Sequence, residues 1–194
     1  MAHIRITNEK ILSDEHYVLK KIEFEQKKKD GNWDSLSREV YDHGNAVSAL
    51  LYNREQGTVI LTRQFRLPSY VNGNPSGMLI ETPAGLIDEG EAPEVSMKRE
   101  ILEETGYEIG EVQKVFEAYS SAGVLTELLY LYVAPYTRDQ RVNKGGGLEE
   151  EGEEIRVMEL PFTEVVAMMD RGEIRDAKTL ILLQYAICKN LLGQ

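Results

Sequence analysis

The sequence GLIDEGEAPEVSMKREILEETGY, residues 85–107, decides the fold of this chain and concentrates its chemistry. On a helix, Glu100, Glu103 and Glu104 are three and four positions apart, so their carboxylates share one face. Like charges at this spacing repel, and the end of a helix disfavours negative charge further. A stable fold does not need this arrangement, whereas a hard divalent cation binds carboxylate oxygens. The pattern therefore predicts a Mg²⁺ site, with Mn²⁺ as a substitute ion; the alternative is a solvated acidic helix face.

The residues on either side of these carboxylates predict a strand, a loop and a helix in succession. Residues 78–80 have strand character, and residues 82–85 form the loop that leaves the strand. Pro93 suits the first helical turn, where its missing N–H would have no partner, and Gly106 suits the helix end. The helix face away from the carboxylates is expected to be buried through three apolar residues: Val95, Ile101 and Leu102.

The composition is that of a chain with one substantial core. It has 194 residues, of which 42% are hydrophobic, and a formal net charge of −11. This acidity argues against a nucleic-acid partner, because a phosphate backbone would be repelled. No apolar run approaches the ~18 residues of a membrane span and no apolar targeting segment is present, so we expect a cytoplasmic protein without a membrane partner. Cys188, the single cysteine, cannot form a disulfide within the chain and is predicted to be a small buried residue.

Hydrophobic patterning divides the chain into an N-terminal sheet region, residues 1–41, and a larger domain, residues 42–194. In the first, short alternating segments flank an Asp30-Gly31-Asn32 turn, which predicts a small antiparallel sheet. The larger domain contains further predicted elements in chain order: strands over 46–53, 58–66, 112–119 and 127–133, a loop over 137–154, a helix over 161–172, and a last helix from Asp176 or Thr179.

The loop segment GGGLEEEGEE, residues 145–154, is a second chemical feature. Three consecutive glycines permit flexibility and a close approach of the backbone to other groups. The acidic block beside them indicates either a mobile anionic flap or a solvated, partly disordered loop.

The segment from Gly85 onward resembles the Nudix box, G-x5-E-x7-R-E-U-x-E-E-x-G-U, in which U is usually a bulky aliphatic residue. Tyr107 departs from the pattern by placing an aromatic residue at the last U. The other defined positions all match: Gly85, Glu91, Arg99, Glu100, Ile101, Glu103, Glu104 and Gly106. The resemblance implies an α/β/α sandwich around a mixed sheet. It also implies hydrolysis of a nucleoside diphosphate that is linked to another group.

The same resemblance implies roles for the box residues. Glu100, Glu103 and Glu104 would be catalytic and would hold the metal, together with the carbonyl of Ala84. Arg99 would orient these carboxylates, and it belongs to the catalytic set for that reason. A secondary metal or supporting position would fall to Glu91.

Relatives that hydrolyse nucleotide sugars often place a further glutamate in a loop outside the box. By resemblance, Glu151 would be that residue, as a metal ligand and as the base that deprotonates the attacking water. Glu150 and Glu153 are the alternatives, and the sequence does not separate them.

Four other segments, SREVYDHGNAVSALLYN, LTRQFRLPSYVNGNPSG, NKGGGLEEE and GEIRDAKT, are similar to the GDP-mannose pyrophosphatase branch of the ADP-ribose pyrophosphatase subfamily. This similarity implies a nucleotide-sugar substrate, with GDP-mannose favoured, and a nucleoside monophosphate and a sugar phosphate as products. It also implies a homodimer in which the N-terminal sheet is swapped between chains. The implied substrate contacts are Tyr17, Arg38, Glu39, Arg66, Gly85, Leu86, Glu127, Glu150 and Lys178.

Three alternatives to a GDP-mannose pyrophosphatase stay open at this point. The first is an ADP-ribose pyrophosphatase that releases AMP and ribose 5-phosphate, although Ala122 stands where that group usually has a proline. The second is a hydrolase of other dinucleotides, such as NADH or coenzyme A derivatives. The third is a non-catalytic nucleotide sensor, which the complete set of box carboxylates disfavours.

Overall fold

The computed structural model describes residues 3–148, 152 and 154–193, and the chain forms two compact units. The first unit comprises Met1–Asn45 and Tyr119–Leu128. The second comprises Ala46–Ala118 and Leu129–Gln194. In the part of the chain that is described, no helix has the length and apolar character needed to cross a membrane.

The first unit is built on an antiparallel sheet of three strands in the order β1, β2, β3. The predicted turn joins the last two strands: Lys28 N–H donates to the carbonyl of Asn32 at 2.7 Å, and Gly31 has a φ of +91°. The small antiparallel N-terminal sheet is therefore confirmed. Its strands are β1 Ile4–Ser13, β2 Val18–Lys27 and β3 Trp33–Asp42.

The second unit contains a seven-stranded mixed sheet. Its main path is β10, β5, β4, β9, β8; β6 pairs with β5, and β7 pairs with β4. The pairing of β4 with β9 is parallel, whereas β4 pairs antiparallel with β5 and β7. The strands are β4 Ala46–Asn53, β5 Thr58–Phe65, β6 Met78–Glu81, β7 Ala84–Leu86, β8 Gln113–Tyr119, β9 Leu128–Pro135 and β10 Arg156–Pro161.

Helices cover both faces of this sheet. The helices are α1 Leu67–Val71, α2 Pro93–Thr105, α3 Phe162–Asp170 and α4 Ala177–Cys188. On one face, Met97 and Ile101 of α2 pack with Val47 and Leu51 of β4. On the other face, α3 and α4 pack against the alternate residues of the same strand, including Leu50. The predicted α/β/α sandwich around a mixed sheet is confirmed.

Helix α2 has the predicted limits, but the face it buries differs from the prediction. Ala92 is the N-cap and Pro93 opens the helix, while Gly106 ends it with a φ of +77°. Met97 and Ile101 are fully buried, whereas Val95 is 55% exposed, so the prediction that Val95 packs in the core is wrong. The core stripe is shifted by two residues because Met97, and not Val95, lies one turn before Ile101.

Three other expectations need correction. Residues 84 and 85 do not belong to a plain loop, since Ala84–Leu86 forms β7 and pairs with β4. Helix α1 and strand β10 were not predicted, and Pro161 ends that strand immediately before α3. Cys188 is exposed, because it lies at the end of α4 on the side away from the core.

We predict that Ile101→Ala lowers the free energy of unfolding by about 2–5 kcal/mol, because it leaves a cavity under α2. Val95→Ala on the same helix should change it by less than about 0.5 kcal/mol, since the side chain is exposed. Urea denaturation of both variants measures this difference. Equal losses would contradict the assignment of the buried face.

Candidate active site

The carboxylates of α2 are held together by an arginine on the same helix. Arg99 Nη1 donates to Glu100 Oε1 at 2.8 Å and to Glu103 Oε2 at 3.0 Å. These contacts offset the repulsion between two like charges that the helix places side by side. The structure therefore brings Arg99, Glu100 and Glu103 into one cluster.

The other end of this guanidinium contacts the segment that leads into α2. Arg99 Nη2 donates to Glu91 Oε2 at 3.2 Å and to the carbonyl of Leu86 at 3.4 Å, and it lies 3.5 Å from Asp88 Oδ2. Burial would lower the pKa of Arg99, but the hydrogen bond to Glu91 and the Glu100 carboxylate outweigh it and raise that pKa. Arg99 is thus a fixed cation that orders carboxylates before and within the helix.

Glu104 occupies a different environment from the other two glutamates. It is 1% exposed, and its Oε2 accepts a hydrogen bond from the N–H of Ala84 at 3.2 Å. The loop that precedes Ala84 is itself fixed: the carbonyl of Pro83 accepts from Ala49 N–H at 3.1 Å and from Ser48 Oγ at 3.0 Å. Glu104 is therefore tied to a rigid segment between β6 and β7.

The Glu100 carboxylate lies against Gly85, in the volume that a side chain at this position would occupy. A Cβ added at this position would lie 2.0 Å from Glu100 Cδ and 2.1 Å from its Oε1. Any larger residue would displace the carboxylate, since real Cβ atoms do not approach that closely. A side chain at the first position of the box would therefore move the carboxylate of a predicted metal ligand.

The donor atoms of this cluster suit a hard cation. The predicted ligands all offer oxygen, which is the ligand type that Mg²⁺ prefers; they are the carboxylates of Glu100, Glu103 and Glu104 and the carbonyl of Ala84. Within residues 3–148, 152 and 154–193, no three acidic, His or Cys side chains converge closely enough to enclose an ion. In this arrangement Arg99 engages Glu100 and Glu103.

The glycine-rich segment reaches the end of α2. Gly146 N–H donates to the carbonyl of Glu104 at 2.9 Å, and Gly147 N–H donates to that of Glu103 at 3.2 Å. Both bonds satisfy carbonyls that a helix end leaves without an intrahelical partner. The acidic block that follows begins directly after this anchor, but Glu149, Glu150, Glu151 and Glu153, which include the predicted loop base, lie outside the described residues.

Arg66 and Lys178, two predicted substrate contacts, meet at a buried carboxylate that the sequence did not single out. Glu81 is 1% exposed, accepts from Arg66 Nε at 2.9 Å and from Arg66 Nη2 at 3.0 Å, and accepts from Lys178 Nζ at 2.7 Å. Lys178 also donates to Asp176 Oδ1 at 3.0 Å. Burial raises the pKa of a carboxyl group, yet the Arg66 hydrogen bonds and the Lys178 charge hold the pKa of Glu81 at about 2.

The first unit carries four of the other predicted contacts, whereas Gly85 and Leu86 lie on β7 of the second unit. Tyr17 lies beside His43, with ring centroids 5.1 Å apart, and His43 Nε2 lies 3.9 Å from Glu127 Oε1. Tyr17 and Glu127 are therefore joined through a histidine. Arg38 and Glu39 are exposed residues of β3, and the Arg38 guanidinium donates to the carbonyl of Ser37 at 2.8 Å.

Sequence reasoning missed Glu81 and His43. Glu81 had a detectable signal, since it directly follows the apolar run Met78–Ile80 and stands two residues before Pro83, and a charge in that place requires partners. His43 stands out because it contacts Tyr17 and Glu127. These two residues are far apart in sequence, so no local pattern points to the histidine.

Comparisons with known proteins match both parts of the chain. Residues 3–41 match the GDP-mannose pyrophosphatase NudK N-terminal domain, and residues 42–183 match the NUDIX domain. A GDP-mannose pyrophosphatase of Citrobacter koseri is 50% identical over 189 residues, which cover 97% of each chain. Proteins with the same name are 51% identical in Enterobacter sp. (98% of each chain) and 52% identical in Pectobacterium atrosepticum (96% of this chain and 95% of the relative).

We predict that Gly85→Ala weakens the binding of Mn²⁺ by at least about 10-fold, because the new methyl group displaces the Glu100 carboxylate. Electron paramagnetic resonance of free Mn²⁺ measures the affinity. Gly110→Ala is the matched control, since a Cβ there meets no atom within 4 Å. A Gly85→Ala protein that binds Mn²⁺ like the wild type would contradict the assigned role of Glu100.

Proposed function

This chain belongs to the NUDIX domain family, and on that basis we propose that it hydrolyses the pyrophosphate bond of a nucleoside diphosphate sugar. GDP-mannose is the favoured substrate, because relatives at about half identity over nearly the whole chain bear the name GDP-mannose pyrophosphatase. The products would be GMP and mannose 1-phosphate. One observation supports the proposal most directly. The buried carboxylate of Glu81 binds both Arg66 and Lys178, and three residues later the N–H of Ala84 binds the carboxylate of Glu104, so one short segment joins two cations to the acidic cluster.

Four groups would hold the metal ion in this proposal: the carboxylates of Glu100, Glu103 and Glu104 and the carbonyl of Ala84. By family resemblance Glu151 would join them. Mg²⁺, or Mn²⁺ in its place, would neutralise charge on the phosphate oxygens and lower the pKa of a bound water.

The side chains of the protein would bind and orient the substrate. Arg66 and Lys178 are the cations that we assign to the phosphate oxygens, since a guanidinium offers several N–H donors to them. Arg99 keeps the α2 carboxylates in position through its contacts with Glu100 and Glu103. A glutamate of the acidic loop, Glu151 in our assignment, would take the proton of the attacking water.

The reaction adds water across the phosphoric anhydride. The water oxygen bonds to one phosphorus while the bond from that phosphorus to the bridging oxygen breaks. The bridging oxygen leaves with the other phosphate, so both products are monophosphates. Placement and charge stabilisation supply most of the catalysis of such reactions.

Other parts of the proposal follow from the family. The proposed substrate contacts on the first unit are Tyr17, Arg38, Glu39 and Glu127. Gly85 and Leu86 are proposed backbone contacts on β7. We further propose that the protein acts as a cytoplasmic homodimer.

We predict Mg²⁺-dependent release of GMP from GDP-mannose at a higher kcat/KM than release of AMP from ADP-ribose. Chromatography of reactions with GDP-mannose, ADP-ribose, NADH and coenzyme A measures this order. A higher kcat/KM for ADP-ribose would replace the GDP-mannose assignment, and binding without any turnover would indicate a nucleotide sensor.

We also predict that Glu104→Gln lowers kcat by about 100-fold or more, the size of effect expected when a positioned catalytic group is lost. The variant should stay folded, because glutamine keeps an acceptor for the Ala84 N–H. Glu94→Gln is the control on the same helix, since Glu94 lies at the surface, where it forms an ion pair with Lys98 at 2.9 Å. A folded Glu104→Gln protein with near-normal turnover would contradict the site.

A further inference from the structure

We propose that Glu81 is a positioning residue, whose buried carboxylate sets the spacing of Arg66 and Lys178 so that the two cations bind one pyrophosphate together. The inference rests on the proposed function, in which these cations bind the phosphates. It adds a residue that the family resemblance did not assign.

The geometry of the contacts supports this role. Glu81 Oε1 binds Arg66 Nε at 2.9 Å, and its Oε2 binds both Arg66 Nη2 at 3.0 Å and Lys178 Nζ at 2.7 Å. The Arg66 contact is bidentate, which fixes the plane of the guanidinium as well as its distance. One oxygen atom, Glu81 Oε2, therefore contacts both cations.

Both cations keep the capacity to bind a ligand. A guanidinium has five N–H donors, of which Glu81 engages two, and the side chain of Arg66 is 39% exposed. Lys178 has three donors and directs two of them to Glu81 and Asp176. The carboxylate thus orients each cation without exhausting its donors.

Charge explains why a carboxylate is required at this position. Two neighbouring cations repel each other, and the side chain of Lys178 is only 14% exposed. Glu81 and Asp176 supply two negative charges against the two positive ones, so the cluster is neutral as a whole. A substrate then meets cations that are already in place, which lowers the cost of ordering them.

The position of Glu81 in the fold couples the cations to the carboxylate site. Glu81 is the last residue of β6, and Ala84, whose N–H binds Glu104, follows three residues later. The intervening Thr82 donates its N–H to Thr179 Oγ1 at 2.7 Å, and Thr179 is bound in turn by Asp176, the N-cap of α4. The same short segment therefore fixes Lys178 and the residue that contacts Glu104.

The first test compares Glu81→Gln with the wild type in GDP-mannose hydrolysis and in binding of inorganic pyrophosphate. We expect kcat/KM to fall by about 10- to 100-fold, the usual cost of misplacing binding groups. Calorimetry in the presence of a chelator that removes free metal ions should show that Glu81→Gln binds pyrophosphate more weakly than the wild type by a similar factor. Glu159→Gln is the control, because Glu159 also forms an ion pair with an arginine, Arg138, but lies on β10 and not on β6. Unchanged pyrophosphate affinity in Glu81→Gln would overturn the inference.

A second comparison separates positioning from a merely structural role. If Glu81 acts through the two cations, Glu81→Gln should have little further effect on kcat/KM in an Arg66→Gln/Lys178→Met background. A full additional loss in that background would overturn the inference. If Glu81→Gln alone fails to fold, Lys178→Met can be compared with Glu81→Gln/Lys178→Met. These two variants differ only at Glu81, and Arg66 is the cation that remains to be oriented in both. We expect the double variant to bind pyrophosphate more weakly, and equal affinities would overturn the inference.

These measurements keep the two claims distinct. A wild type that binds pyrophosphate but cleaves none of the nucleotide sugars would refute the proposed function. The effect of Glu81→Gln on pyrophosphate binding would still decide whether Glu81 positions the cations.

Discussion

The contact between Arg99 and the carboxylates of α2 is the interaction on which the rest of the structure depends. A helix that presents several glutamates on one face is unfavourable by itself. Arg99 joins Glu100 and Glu103, while Met97 and Ile101 bury the opposite side of the helix against the sheet. The helix can therefore hold a concentrated negative charge because a fixed cation and a packed core stabilise it.

Around this helix, backbone groups fix the remaining parts of the site. The N–H of Ala84 binds Glu104, and the glycines at 146 and 147 bind the carbonyls at the end of α2. Side chains that carry charge are attached to these rigid segments, as Glu81 is at the end of β6. The acid cluster and the cation pair are thus connected by a strand end and a short loop, and a change in one is expected to affect the other.

The sequence predicted much of this arrangement, because its signals were local. The helix limits at Pro93 and Gly106 and the alternation in the strands follow from backbone preferences and periodicity. Val95 was misassigned because residues 95 and 97 are both apolar and the pattern alone does not fix the rotation of the helix about its axis. Glu81 was missed because its partners, Arg66 and Lys178, are 15 and 97 residues away in sequence. Only the folded sheet brings these three charges together.

The proposed metal site consists of the carboxylates of α2 and the carbonyl of Ala84, which would bind a divalent cation. Crystals grown with Mn²⁺ and measured for anomalous scattering would test it most directly. We expect a peak about 2.1 Å from oxygens of Glu100, Glu103 or Glu104, with the Arg99 contacts rearranged to release them. A Mn²⁺ peak elsewhere in the molecule, with Arg99 still bound to Glu100 and Glu103, would contradict this metal site.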